Sequence, residues 1–334
     1  MNVGVSVEPP QLQADGFRAS SAPTSDQSSS NEPVYLFSYF VGNGEDGLHL
    51  AYSRDAIAWH NFHGNPSWLT PKVGGKLMRD PCIIQGRDGT FHLVHTTSWS
   101  DQGIGIAHSK DLIHWEGQSF IPVMKHQPKA LNCWAPEIFF DSKSDQYLIY
   151  WSTTVEGEFK ETIKLDGDKL DNKPLNHRIY CTTTRDFENY TDTKLFYQPD
   201  FNVIDPVIIR HRNRDRQFVM VLKDETRNPD QKNLRVATSN NLFGPWKTGD
   251  KPFTPNWVEG PSLLRVGGEW ICYFDMYTRH RFGAMKTRDF DSWTDISNEV
   301  SFPKGVRHGT AFPITAMQFQ VLSKHINQNR ARND

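Results

Sequence analysis

The chain has 334 residues, of which 37 are basic and 39 acidic, so that its formal net charge is −2 at pH 7. This balance predicts no nucleic-acid partner and no attraction to a membrane surface, and no apolar run reaches the ~18 residues of a transmembrane helix. The four cysteines are too few and too scattered for a disulfide framework, and they contain no CxxC pair that would indicate zinc.

The composition divides the chain into three parts. Residues 1–32 are rich in Ser, Pro, Gln and Asp, which predicts disorder. Residues 33–320 are predicted to form one folded domain with little helix, and residues 321–334 a C-terminal tail. The N-terminus shows no charged segment followed by an apolar one, so no signal peptide is predicted, although a mature chain without its leader would begin in the same way.

A short pattern recurs five times along the folded part: Ser or Thr, then Asp or Asn two residues later, then Trp or Tyr about four residues after that. The copies are Ser53-Asp55-Trp59, Ser109-Asp111-Trp115, Thr184-Asp186-Tyr190, Ser239-Asn241-Trp246 and Thr287-Asp289-Trp293. A unit that repeats every ~50 residues indicates stacked or radial modules. The prediction is therefore an all-β fold, a five-bladed β-propeller, in which the repeated polar residues cap turns on the outer side of each blade.

Each unit is predicted to begin with a short apolar inner strand, and these strands are Asp80–Ile84, Pro136–Phe140, Asp205–Ile209, Gly260–Leu264 and Gly309–Ile314. The first unit lacks an inner strand, and the last inner strand has no unit after it. The two are therefore predicted to combine in one blade, which closes the ring and leaves no exposed sheet edge.

Four insertions interrupt the repeats, and we expect them to be surface loops that shape a pocket. They are Leu69–Leu77, Pro122–Asn132, Val155–Asn176 and Thr226–Asn233. The charged cluster Lys223-Asp224-Glu225 is also assigned to a loop.

One charged residue lies at or just before the start of each inner strand, and the five are Asp80, Glu137, Asp205, Glu259 and His308. By symmetry they should face the same end of the central channel. Carboxylates that crowd one cavity spread their pKa values, so that one can act as an acid while another stays ionised. A pair of carboxylates flanking a bond is what glycoside hydrolysis requires.

The residues around these positions form five motifs: Met78-Arg79-Asp80-Pro81, Trp134-Ala135-Pro136-Glu137, Ile204-Asp205-Pro206, Glu259-Gly260-Pro261 and Arg307-His308-Gly309-Thr310. In this order they resemble the blade-start motifs of glycoside hydrolase family 43, which comprises arabinofuranosidases, xylosidases and arabinanases built on five-bladed propellers. The resemblance covers roughly residues 34–315. It implies an inverting enzyme in which Asp80 is the general base, Glu259 the general acid and Asp205 the carboxylate that tunes and orients the acid.

The resemblance also implies roles for the neighbouring residues. Glu137 stands where the family usually has Asp, and it is expected to anchor the pocket or to hydrogen-bond sugar hydroxyls. His308 matches a central histidine of the family that lies near a bound calcium ion or water, so a structural calcium ion is possible there, although calcium prefers oxygen ligands; no cofactor is expected to be required.

Four residues beside the motifs are assigned to substrate binding from adjacency alone, and these are Arg79, Trp134, Trp257 and Arg307. A tryptophan at the rim could stack on a sugar face, and an arginine beside a carboxylate would keep it ionised.

The expected partner is an oligosaccharide or polysaccharide of plant or algal type, attacked from its end by a monomeric, periplasmic or extracellular enzyme. Two alternatives remain open. A glycoside phosphorylase would replace water by phosphate bound to Arg79, Arg307 and His308, but Asp80 and Asp205 together argue against it. A non-catalytic carbohydrate-binding propeller would bind sugar without turnover.

Overall fold

The computed structural model of the protein describes residues 33–213 and 216–333. The segment predicted to be disordered, residues 1–32, lies outside this range. Within the described residues no helix is both long and apolar enough to cross a membrane.

The described residues form 22 strands. The strands are β1 (Val34–Tyr39), β2 (His49–Ser53), β3 (His60–Asn61), β4 (Arg79–Gln85), β5 (Phe91–Thr96), β6 (Ile104–Ser109), β7 (Trp115–Ile121), β8 (Trp134–Asp141), β9 (Gln146–Thr153), β10 (Lys169–Leu170), β11 (Lys173–Pro174), β12 (Arg178–Thr184), β13 (Lys194–Tyr197), β14 (Val203–Asn213), β15 (Arg216–Asp224), β16 (Asn233–Ser239), β17 (Lys247–Thr248), β18 (Glu259–Val266), β19 (Glu269–Met276), β20 (Arg281–Thr287), β21 (Thr294–Asp295) and β22 (Thr310–Ile314).

Five antiparallel four-stranded sheets form the blades of the predicted five-bladed β-propeller. Their strand orders are β22-β1-β2-β3, β4-β5-β6-β7, β8-β9-β12-β13, β14-β15-β16-β17 and β18-β19-β20-β21. The first blade joins the two ends of the domain, because β22 pairs with β1 from Val34 opposite Ile314 to Ser38 opposite Thr310. The predicted closure of the ring is confirmed. Strands β10 and β11 form a separate hairpin within the third insertion.

The core lies between the blades. Each of five clusters of buried side chains joins two neighbouring blades, and alternate residues of one strand belong to different clusters. In β1, Val34 and Leu36 pack toward the second blade, whereas Tyr35 and Phe37 pack toward the fifth. Because successive side chains of a strand point to opposite faces, a blade with neighbours on both sides is apolar on both faces.

The outer turns contain the repeated aspartates as predicted. Asp55 accepts hydrogen bonds from the backbone nitrogens of Ile57 and Ala58, both at 2.8 Å, and from Ser53 Oγ at 2.9 Å. The backbone bonds recur at Asp111, Asp186 and Asp289. An aspartate that bonds the backbone two and three residues ahead stabilises a turn, so these residues are structural.

The C-terminal segment is helical, whereas the sequence predicted a tail after residue 320 and little helix in the domain. Residues Ala316–Asn333 form helix α1, and Leu322 and Ile326, one helical turn apart, join the cluster between the first two blades. The helix begins with a reciprocal cap, because Thr315 Oγ1 accepts from the backbone nitrogen of Gln318 and Gln318 Oε1 accepts from that of Thr315. This Thr-x-x-Gln pattern is a recognised helix-start signal that the strand-based reading of the sequence missed.

Candidate active site

Four of the inner strands begin with the same backbone irregularity. The residue before the proline has a positive φ in each case: 51° at Asp80, 46° at Ala135, 51° at Asp205 and 60° at Gly260. The pairing with the next strand shifts at the same point. A bulge of this kind re-aims the side chains around it and is common beside active sites.

The bulge corrects the predicted symmetry of the five charged residues, because they do not occupy equivalent positions. Asp80 and Asp205 are the bulge residues themselves, whereas Glu259 precedes its bulge and Glu137 follows its proline. The strand pairing places Glu259 level with Arg79, Trp134 and Ile204, each of which forms the last pair before the bulge of its strand.

A cavity of about 430 Å³ lies where these inner strands begin. It brings together eight of the nine predicted site residues around one space, namely Arg79, Asp80, Trp134, Asp205, Trp257, Glu259, Arg307 and His308. Glu137 is the exception: it is 6% exposed and does not contribute to the lining. Thr310 Oγ1 donates to it at 3.4 Å, and burial raises the pKa of its carboxyl to about 7.

Asp80 forms an ion pair with His308, whose Nδ1 lies 3.3 Å from Asp80 Oδ1. Thr96 Oγ1 donates to the other carboxylate oxygen at 2.8 Å. Burial alone would raise the pKa of Asp80, but the hydrogen bond and charge of His308, with Arg79 nearby, outweigh it and lower the pKa to about 2. Asp80 is therefore ionised at neutral pH, as a general base must be.

His308 is 5% exposed and carries the complementary charge. Burial would lower its pKa, but the carboxylates of Asp205, Asp80 and Glu137 raise it to about 9. A protonated imidazole donates hydrogen bonds from both nitrogens and has no lone pair for a cation, so in this ion pair His308 does not fit the role of a calcium ligand. Among the described residues no group of three or more His, Cys, Asp and Glu side chains is arranged to hold a metal ion.

Asp205 has the opposite electrostatic setting to Asp80. Its Oδ2 accepts from the backbone nitrogen of Gly260 at 2.9 Å, a bond between neighbouring blades. Burial is the largest effect on its carboxyl, and together with the negative charges of Glu259 and Asp80 it outweighs His308 and Lys223 and raises the pKa to about 6. Two aspartates in the same backbone position thus differ in how readily they lose a proton.

Glu259 is held by a cation at each oxygen. Lys223 Nζ donates to Oε2 at 3.1 Å and Arg307 Nη2 to Oε1 at 3.1 Å, while Arg307 Nε also donates to Asp275 at 2.7 Å. Burial would raise the pKa of Glu259, but the charges of Lys223 and Arg307 outweigh it, and the pKa lies below its usual value.

Aromatic side chains also line the cavity. Trp99, which is 45% exposed, packs edge to face with Trp134 at 5.6 Å between ring centroids, and Trp134 Nε1 donates to the carbonyl of Trp99 at 2.9 Å. The guanidinium of Arg79 lies 4.2 Å from the centre of the Trp99 ring and donates to Asn43 at 3.0 Å. An exposed indole fixed in this way offers an apolar surface of the kind that sugar rings stack on.

The remaining wall comes from two insertions. Residues of the β10–β11 hairpin and of the loop after β15 line the cavity, including Asp168, Lys169, Leu170, Arg227 and Lys232. Arg227 Nη1 contacts Asp168 Oδ1 at 2.8 Å, and Lys232 bonds the other oxygen of Asp168. The two insertions therefore form one wall, as expected of insertions that shape the pocket, whereas the other two, Leu69–Leu77 and Pro122–Asn132, do not contribute to the lining of this cavity.

Sequence reasoning missed several lining residues, notably Lys223, Glu225, Trp99 and Tyr277. Lys223 was assigned to a loop but lies on β15, opposite Ile204 at the level of the bulges. Pairing the two strands of the hairpin outward from its turn to the Ile204-Asp205-Pro206 motif could have identified Lys223 as the residue opposite Ile204. Trp99 follows β5 outside any repeated motif, and no signal in the sequence distinguished it.

Residues 32–320 match the family described as a probable glycosyl hydrolase domain, related to glycoside hydrolase family 43. An α-L-arabinofuranosidase of Bifidobacterium longum subsp. longum is 23% identical over 173 residues, which are 46% of this chain and 16% of that protein; the chain thus spans about a sixth of that relative's length. A thermostable family-43 glycoside hydrolase superimposes with a TM-score of 0.52 and 14% identity, over 72% of this chain and 80% of that one. The α-L-arabinofuranosidase from Lactobacillus brevis gives a TM-score of 0.48 and 18% identity, over 65% and 72% of the two chains.

Three carboxylates that line one cavity of a five-bladed propeller fit the class of glycoside hydrolases. Because the family match covers most of the sequence, the chain belongs to this family of glycosyl hydrolases related to family 43.

Proposed function

We propose that the protein is an inverting glycosidase that releases single sugars from the ends of plant- or algal-type glycans. The observation that carries the proposal is the presence of three carboxylates around one cavity in different protonation settings: Asp80 paired with His308, Asp205 protonated more easily, and Glu259 between two cations. Inverting hydrolysis needs a base and an acid on opposite sides of the scissile bond.

In the proposed reaction Asp80 removes a proton from a water molecule as its oxygen attacks the anomeric carbon. To act as the acid, Glu259 must first take up a proton against the charges of Lys223 and Arg307, which lower its pKa. The bond from the anomeric carbon to the leaving oxygen then breaks as this proton passes to the leaving oxygen. Asp205 bonds the backbone at Gly260, directly after Glu259, and thereby orients the acid.

For the substrate we propose an α-L-arabinofuranoside, with a β-D-xyloside as the second candidate. The family resemblance of the blade-start motifs supports both, and the name of the partial relative from Bifidobacterium supports the first. The wall formed by the two insertions, whose residues line the cavity, supports action on chain ends, because insertions around a binding site can enclose a pocket.

A panel of nitrophenyl furanosides and pyranosides tests this function. We expect release of nitrophenol from the α-L-arabinofuranoside or the β-D-xyloside in buffer without phosphate. Activity that required added phosphate would indicate a phosphorylase instead, and binding of sugar without turnover of any glycoside in the panel would contradict catalysis.

A further inference from the structure

Lys223 is the more deeply buried of the two buried lysines in the described residues, because its side chain has a relative exposure of 1%, against 4% for Lys232. Its Nζ lies 2.6 Å from Glu225 Oε2 and 3.1 Å from Glu259 Oε2, and 5.1 Å from the centre of the Tyr277 ring. Removing an ammonium group from water costs several kcal/mol unless carboxylates compensate for it. This lysine is therefore placed where its charge acts on its two carboxylate partners.

The contacts of Lys223 determine where the carboxylate of Glu259 points. Lys223 on the fourth blade binds one oxygen, and Arg307 on the segment before β22 binds the other. Because Asp275 fixes Arg307 in turn, the carboxylate of Glu259 has a separate, anchored donor at each oxygen.

Lys223 is itself held in place by a chain of ion pairs that reaches the insertion wall. Glu225 contacts Lys232 at 2.5 Å, and Lys232 binds Asp168 just before the β10–β11 hairpin. Glu225, Lys232 and Asp168 all line the cavity. The position of Glu259 is thus connected, through successive ion pairs, to the wall formed by the two insertions.

We propose that Lys223 is a positioning residue for the proton donor and that it acts on the reaction through Glu259. The proposal rests on the proposed function, in which Glu259 protonates the leaving oxygen. Loss of a residue that acts through the acid should reduce kcat strongly when the leaving group needs protonation. It should reduce kcat little when the leaving group departs without a proton. A residue that only stabilises the fold changes the turnover of both kinds of substrate equally.

The experiment uses two aryl glycosides of the sugar that the protein hydrolyses, one with a methoxyphenol and one with a dinitrophenol leaving group. Lys223→Met should lower kcat for the methoxyphenyl glycoside by ~10²-fold and for the dinitrophenyl glycoside by less than ~5-fold, with KM changed less than ~3-fold. Lys223→Arg, which keeps the charge, should recover part of the lost kcat. Equal losses on the two substrates would overturn the proposal.

Lys223→Met removes one of the two buried lysines that Glu225 contacts and can fail to fold. The double variant Lys223→Met/Glu225→Gln removes both charges together and should give the same difference between the substrates; equal losses in this variant would overturn the proposal as well. Lys286→Met is the matched control, because Lys286 forms a comparable ion pair with Glu269 at 3.3 Å on a solvent-exposed part of the fifth blade, and both kcat values should stay unchanged.

Glu259→Gln on the same two substrates separates the failure of this inference from that of the proposed function. If Glu259→Gln slows mainly the methoxyphenyl glycoside while Lys223→Met slows both equally, only the role of Lys223 is wrong. If Glu259→Gln slows both equally, Glu259 is not the acid and both proposals fail.

Discussion

The outer turns and the inner strand starts each contain one polar residue per blade, and the two sets behave in opposite ways. Asp55 on the outer side forms its hydrogen bonds within its own turn. Asp80 on the inner side is mostly buried and bonds residues of two other strands or segments, His308 and Thr96. The outer residues are nearly identical from blade to blade, whereas the inner residues differ.

The outer residues repeat and the inner residues differ because the two sets serve different purposes. A turn repeated in five blades has the same local geometry each time, so the same short side chain satisfies it. Four of the five inner positions line one cavity, where identical carboxylates would repel one another. Positions that depart from the repeat are thus the better guide to the site. Substitutions that make the same chemical change in both regions test whether the inner residues serve activity and the outer residues serve stability.

The largest difference is expected for aspartate to asparagine. Asp80→Asn should lower kcat by ~10²–10⁴-fold, because the amide cannot take a proton from water, while asparagine tolerates the positive φ of this position. The control is Asp111→Asn, since the fourth copy of the turn already uses Asn241, whose Oδ1 accepts from the backbone of Phe243 at 3.0 Å. Steady-state kinetics should show near-normal activity for the control; similar losses in the two variants would contradict the distinction.

The inner region should also make stability depend on pH. His308 has its pKa raised to about 9 from 6.5, so its stabilising contribution is complete below pH 6.5 and is lost as the pH rises through about 9. A shift of this size corresponds to ~3 kcal/mol. Urea unfolding of the wild type and of His308→Gln should give a difference in unfolding free energy that shrinks between pH 7 and pH 10; a difference independent of pH would show that the imidazole is not charged.

A pair of glycines compares crowding at the start of inner strand β18 with crowding in the hairpin turn at the other end of the same strand, at the same backbone conformation. Gly260 and Gly267 have φ of 60° and 59°, but a Cβ on Gly260 would lie 2.3 Å from His308 Cγ, whereas one on Gly267 would meet nothing within 4 Å. Gly267→Ala should cost only the ~1–2 kcal/mol of a left-handed alanine. Gly260→Ala should cost ~1–3 kcal/mol more and reduce activity, and equal thermal stability of the two variants would refute the crowding.

The smallest effect is expected in the outer turns. Asp55→Ala removes hydrogen bonds to two backbone nitrogens that solvent can reach, which should lower the unfolding free energy by ~1 kcal/mol and leave kcat unchanged. Chemical unfolding and initial rates measure the two quantities. A loss of activity without a loss of stability would place function in the outer turns.

Much of the fold was predictable because the repeat is local: the five turns, the five inner strands and the blade shared by the two chain ends all follow from patterns a few residues long. The predicted site residues could be named by their positions along the chain, but the bulge before each proline could not be counted from the sequence. That single extra residue separates Glu137 from the cavity and puts Glu259 level with Arg79 instead of Asp80. Lys223 and Trp99 were missed because their roles depend on contacts between blades, which no local pattern encodes.

Asp80 is proposed to activate water on the side of the sugar opposite the acid, and the anomeric configuration of the first product tests this role most directly. Proton NMR recorded during the first turnovers, before mutarotation, should show the released sugar with the anomeric configuration inverted relative to the substrate. Release of a sugar with retained configuration would require a covalent glycosyl-enzyme intermediate and would contradict the account.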